Sequence, residues 1–176
     1  MSNTQASGIE AGFQSARSPS IWAGFMSLAG LTLLLSVIGA GIAAYLTYVH
    51  YDEAALVCST GGCETVQQSE YATIGPIPIA ALGLGMFLVL AGLALVRIFD
   101  WRISILDAEI ANFAAWGITL TALLYYAYLV YLELFVLDAI CQWCVGTTIA
   151  TVAIFLVESL ALRKTLAIDD ADLIDE

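Results

Sequence analysis

The chain has 176 residues, 61% of them hydrophobic and only 12% charged, with a formal net charge of −11. About a quarter of the residues in a soluble domain are charged, so the composition excludes an ordinary water-soluble fold and leaves room for one membrane-embedded domain. Nothing basic suggests a nucleic-acid partner.

In chain order, residues 1–18 are expected to form a short cytoplasmic tail ending at Ser18-Pro19, which reads as a cap followed by proline at the first helical position. Four charge-free apolar runs follow: Ile21 to Val49, roughly Ile77 to Val96, Ile110 to Leu132, and roughly Ala139 to Val157. Each has the ~18 residues or more that cross a bilayer, so the sequence predicts four transmembrane helices within a 19–164 membrane domain. The first run exceeds the ~20 residues a bilayer needs, so it must tilt or protrude. It also exceeds the 7–15-residue apolar core of a signal peptide, so it is expected to be retained. Its Gly24, Gly30, Gly39 and Gly41 either allow close helix packing or merely reflect how common small residues are in membrane helices. Pro76 and Pro78 precede the second span, where a missing backbone donor does no harm. Residues 165–176 are expected to be an acidic cytoplasmic tail, solvated and disordered over Asp169 to Glu176.

All basic residues fall on one side of a four-span topology. Arg17 precedes the first span, Arg97 and Arg102 lie between the second and third, and Arg163 and Lys164 follow the fourth. By the positive-inside rule that side is the cytoplasm. The other side carries Asp52, Glu53, Glu64, Glu70, Glu133 and Asp138.

The four cysteines, Cys58, Cys63, Cys141 and Cys144, then converge on the extracytoplasmic face, where disulfides form and persist. Cys141 and Cys144 open the fourth helix in C-x-x-C spacing, which puts both on one helical face. A helix N-terminus also favours a thiolate, while the charge of Asp138 opposes it. Cys58-Ser-Thr-Gly-Gly-Cys63 carries two glycines, which permit unusual backbone angles and a mobile dithiol loop. A mobile pair above a fixed pair suits an electron relay by disulfide exchange. The same four cysteines also allow two purely structural disulfides, in any of three pairings, or a metal site. His50, at the end of the first span, reads as an interfacial residue. Trp143, Tyr125, Tyr126, Tyr128 and Tyr131 read mostly as an aromatic belt.

The loop pair, then Cys63-Glu-Thr-Val-Gln-Gln-Ser69-Glu-Tyr71, then Gly75-Pro76-Ile77-Pro78, then Cys141-Gln-Trp-Cys144 together resemble the vitamin K epoxide reductase family over roughly Ile21 to Val157. A second family of four-helix quinone reductases carries its C-x-x-C in the first loop, so the order of the pairs here favours the former. The resemblance implies an all-α integral membrane protein: a four-transmembrane-helix bundle with an extracytoplasmic loop and a short helix between the first and second spans. It implies a quinone-dependent, disulfide-generating thiol oxidoreductase of the plasma membrane, with menaquinone, ubiquinone or a vitamin K type quinone as electron acceptor. Cys141 and Cys144 are then the active-site pair, with Cys144 touching the quinone. Cys58 and Cys63 are the shuttle, Cys58 exchanging with a separate thioredoxin-like extracytoplasmic protein and Cys63 with Cys141. Ser69 matches a family hydroxyl near the quinone; read by itself, it is equally a cap on a short loop helix. Thr148 stands where animal members have a tyrosine, and the shuttle cysteines are closer together than theirs.

Overall fold

The structure is a computed structural model that describes residues 19–59, 61–99 and 108–174. Four long helices dominate it: α1 (Pro19–Tyr51), α3 (Ile79–Ile98), α4 (Ala108–Phe135) and α5 (Gln142–Ile174). All four are long and apolar enough to cross a membrane. The chain is a multi-pass membrane protein with the all-α four-span bundle expected of it. At 1.5 Å per residue, the 33 residues of α1 reach about 50 Å, well beyond a ~30 Å hydrocarbon core. Pro19 opens α1 as expected; Ser18 lies outside the described residues.

The helices form a ring in the order α1, α3, α4, α5, with the α3–α4 seam the least extensive. Lipid offers no hydrophobic drive between helices, so small and weakly polar residues make up much of the interior, packed around a few large ones. Ala43, Ala115 and Ala150 pack around Phe87, Leu90 and Ile154 in the core. Thr119 and Thr151 are buried with their hydroxyls donated to the carbonyls of Ala115 and Thr147, one turn back. Leu34, Leu88, Leu124, Ile149 and Leu156 point outward. Of the α1 glycines, Gly39 makes a close approach: an added Cβ would lie 2.4 Å from the Phe87 ring, whereas Gly30 and Gly41 face open space. Gly24 lies where side-chain surroundings are not described.

Three span boundaries need correction. The second, third and fourth runs end, by absence of charge, just before Arg97, Glu133 and Glu158. Each helix continues through its charge, and all three residues are buried. Arg97 is therefore not a loop cation. Its guanidinium forks onto Glu158, with Nη1–Oε2 and Nη2–Oε1 both 2.8 Å, and Nη1 also donates to Asn112 Oδ1 at 2.8 Å. Thr32 donates to Glu158 Oε1 at 2.6 Å, and Asn112 Nδ2 donates to Thr165 at 3.2 Å. One polar node thus ties α1, α3, α4 and α5 together at the end opposite the cysteines. Arg17 and Arg102 lie outside the described residues. The disorder expected from Asp169 onward is corrected too: α5 continues through Ile174.

Between α1 and α3 the chain folds over the cysteine end. It makes a 3₁₀ turn (Glu53–Ala55), the expected short helix α2 (Cys63–Gln67), a second 3₁₀ turn (Glu70–Ala72) and a two-residue hairpin, β1 (Thr73–Ile74) against β2 (Ile77–Pro78). Gly75 turns the hairpin with φ +62, a left-handed value that a β-branched residue resists. Pro78 then stands at the N-cap of α3, where no donor is needed.

Candidate functional site: two cysteine pairs and a cavity

The site is built on a clasp between the first loop and the start of α5. Val57 precedes Cys58, and both of its backbone groups are held by aromatic side chains. Its N–H donates to the Tyr45 hydroxyl at 2.9 Å, and its carbonyl accepts Trp143 Nε1–H at 2.8 Å. The Tyr45 and Trp143 rings are themselves in contact, with centroids 4.8 Å apart, and the Tyr45 hydroxyl donates to Ala55 O at 3.1 Å. On the other side of Cys58, Ser59 N–H donates to Gln142 Oε1 at 3.2 Å. The two residues between Cys141 and Cys144 therefore grip the two residues flanking Cys58.

Gly62 closes the clasp. A Cβ on it would lie 2.6 Å from Ile140 O and 2.7 Å from Ile140 N, so backbone lies directly on backbone beside Cys141. Gly61, with φ +77, faces open space and serves the turn instead. The loop expected to be mobile is docked in this state.

Cys58 and Cys63 form a disulfide, with Cα atoms 5.9 Å apart. Cys63 is fully buried at the start of α2, while Cys58 is partly exposed. Cys141 and Cys144 are thiols, Cys141 buried and Cys144 partly accessible. The Cys141 thiol is held below the ordinary thiol range, first by the Cys144 thiol that donates to it and then by the N–H groups of Cys144 and Trp143. Burial and the nearby Glu133 charge oppose that shift. The helix-start effect expected from sequence thus acts on Cys141. The carboxylate that opposes it is Glu133, from α4, in place of the expected Asp138.

Glu133 was read from sequence as a loop acid. It is in the last turn of α4, and its Oε2 accepts the Cys141 N–H at 3.2 Å. Its carbonyl accepts the Ala139 N–H at 3.0 Å, and Asp138 takes φ 50 to make that connection. Asp tolerates this left-handed value better than most residues. An acid inside an apolar helix was the available signal for Glu133. Tyr45 and Gln142 carried no sequence signal, because both depend on a loop docking from elsewhere in the chain.

Beside Cys144 lies a largely apolar cavity between α1, α3, α4, α5 and the loop. Leu46, Val66, Ile79, Leu129 and Leu132 supply much of its wall, and Gln67, Ser69, Tyr71, Tyr126, Glu133, Thr147 and Thr148 its polar groups. Cys144 and Ser69, paired from sequence, line this one cavity. Ser69 makes no capping bond; its hydroxyl donates to Val66 O at 2.8 Å. The Thr147 and Thr148 hydroxyls both donate to Cys144 O, at 2.9 and 2.8 Å, so toward the cavity they can only accept. Of the aromatic residues, Tyr126 joins the cavity and Trp143 the clasp, while Tyr128 and Tyr131 are exposed.

A profile of the vitamin K epoxide reductase family matches residues 30–159, a stretch that takes in both cysteine pairs, the clasp, the cavity and the buried Arg97–Glu158 pair; the chain belongs to the vitamin K epoxide reductase family.

Proposed function

We propose that the protein is a quinone-dependent thiol oxidase that makes disulfides in a thioredoxin-like partner. Family membership supports a quinone-linked thiol oxidoreductase. The observation that carries the finer reading is the unequal state of the two pairs. The loop pair is a disulfide with Cys58 partly exposed, while the helix pair is a dithiol with Cys144 on an apolar cavity. Two static disulfides would leave no dithiol at the cavity, and a four-thiolate metal site would leave no disulfide.

A quinone ring fits the cavity chemically: apolar walls from four helices, with a few polar groups converging beside a thiol. A menaquinone, ubiquinone or vitamin K type ring would lie against Cys144 and Ser69, and would supply a two-electron, two-proton sink. A second, apolar groove between α3 and α4 shares Ile79, Gly83, Tyr126 and Leu129 with the cavity and opens toward lipid along the least extensive seam. It suits the passage of an apolar tail.

The residues then act in sequence. A partner thiolate attacks Cys58 Sγ and expels Cys63 as thiolate; the partner's second thiol closes the partner disulfide and releases Cys58. Cys63 attacks Cys141 of an oxidised Cys141–Cys144 pair and expels Cys144. Cys58 then attacks Cys63 and expels Cys141, which the Cys144 thiol and two backbone N–H groups stabilise as a leaving thiolate. The outcome is the observed state, with two electrons stored on the cavity pair. The cysteine end faces the extracytoplasmic side of the plasma membrane in this reading, with both termini cytoplasmic. Arg163 and Lys164, beyond Glu158 on α5, then lie toward the cytoplasm.

The test is oxidation of a reduced thioredoxin-like protein by the reconstituted chain with added quinone. Replacing Cys58, Cys63, Cys141 or Cys144 by alanine should abolish turnover, and unchanged turnover in Cys144→Ala would overturn the reading. A partner lacking its second thiol should be trapped as a mixed disulfide on the wild-type chain and not on Cys58→Ala.

A further inference from the structure

The cavity holds one carboxylic acid, and disulfide exchange does not use it. Glu133 is 6% exposed. Among the described residues the one ion pair is Arg97–Glu158, at the far end of the bundle, so no cation neutralises Glu133. Its Oε2 accepts the Cys141 N–H at 3.2 Å, and it lines the same cavity as Cys144. A buried acid without a cation is costly. Accepting one backbone N–H does not require it, since a glutamine carbonyl would do so without charge. What a carboxylate adds is the capacity to take a proton and give it up.

We propose that Glu133 is the proton relay between the Cys144 thiol and the quinone. The inference rests on the thiol-to-quinone reading above. In the step, the Cys144 S–H bond breaks and the Cys141 thiolate bonds to the Cys144 sulfur. The two electrons released reduce the quinone to the quinol. The Cys144 proton passes to the Glu133 carboxylate and on to one quinone oxygen; the other oxygen takes a proton from water at the cysteine end. Glu133 returns to the carboxylate, so mass and charge balance.

The experiment uses the full chain in lipid nanodiscs, wild type against Glu133→Gln and Glu133→Asp. In a single turnover with a soluble short-chain quinone, Glu133→Gln should oxidise its dithiol on the order of 10²-fold more slowly, the usual scale for general acid–base catalysis. Quinone KM should be unchanged, and Glu133→Asp should recover part of the rate. In a second measurement without quinone, Cys144 is alkylated by a small uncharged reagent and read by peptide mapping. Here Glu133→Gln should react faster than wild type at fixed pH, because the like charge beside the forming thiolate is gone. A packing defect would not slow one reaction and speed the other. Equal single-turnover rates within twofold, or unchanged Cys144 alkylation, would overturn the proposal. If no quinone oxidised the wild-type dithiol, the functional reading would fall, and the alkylation measurement would still decide whether Glu133 governs the Cys144 proton.

Discussion

Replacing Gly62 by alanine should separate the two halves of the relay. Gly62 has φ −93 and ψ −11, an ordinary right-handed conformation, so alanine adds no backbone strain. What it adds is a Cβ 2.6 Å from Ile140 O and 2.7 Å from Ile140 N. Ordinary contact begins near 3.4 Å, so loop and α5 must separate by 3.4 − 2.6 = 0.8 Å. Neither neighbour is a side-chain tip that can swing away; both are backbone atoms next to Cys141. A displacement near 1 Å between reacting groups costs on the order of 10²-fold in rate. Gly62→Ala should therefore slow transfer from Cys63 to Cys141 by about that factor, while the partner still reduces the Cys58–Cys63 disulfide at the wild-type rate. Rapid mixing with reduced partner, acid quench and mass counting of the two pairs resolves the steps. Gly61→Ala is the control. Its φ of +77 strains an alanine by about 1–2 kcal/mol, but its Cβ meets open space. Transfer in Gly62→Ala within twofold of wild type would refute the idea that backbone contact sets the distance between the pairs.

Removing one partner of the Arg97–Glu158 pair, as in Arg97→Ala, should cost roughly 3–5 kcal/mol, because it leaves a buried charge unpaired; a thermal melt in detergent within ~1 kcal/mol of wild type would contradict that. The double replacement Arg97→Met with Glu158→Leu should melt much closer to wild type. Gly39→Ala should lose about 1–3 kcal/mol by forcing the fully buried Phe87 ring aside, whereas Gly41→Ala should lose nothing; equal melts would reject the packing argument. Because Cys141 is held below the ordinary thiol range, thiolate absorbance of the reduced cavity pair should persist as pH falls through ~8.5 and vanish only at a lower pH. In Cys144→Ala, which removes the leading cause, it should vanish at a higher pH than in wild type, and an unmoved titration would refute the assignment.

The four spans were legible because they depend on local composition, and the two cysteine pairs because they depend on where the cysteines fall along the chain. The boundaries were not, and the three errors share one cause. A charge-free window stops at Arg97, Glu133 and Glu158, yet a charge that finds a partner inside the protein need not end a helix. Two of those residues form the node opposite the cysteines, and the third holds the Cys141 N–H. The charge rule thus trimmed away the residues with most to say about the interior. The clasp was invisible for a different reason. Gln142 and Trp143 sit in a spacer whose identity says nothing until Val57 and Ser59 are brought against them from 86 and 83 residues away. Close approach was likewise unreadable glycine by glycine: Gly39 and Gly62 are pressed against neighbours, whereas Gly30, Gly41 and Gly61 are not.

The buried node also bears on how the chain is made. Arg97 and Glu158 are separated by 61 residues in sequence. At synthesis rates of ≈ 5–20 residues per second, α3 is exposed for roughly 3 to 12 s before its counter-charge leaves the ribosome. An arginine at the centre of an inserting helix costs about 2.5–3.5 kcal/mol, less near an end, and Arg97 is one residue from the end of α3. The early helix can therefore wait with its guanidinium at the headgroups. Glu158 forks onto that guanidinium and so lies at the same depth, which lets the pair close once α5 comes alongside α3.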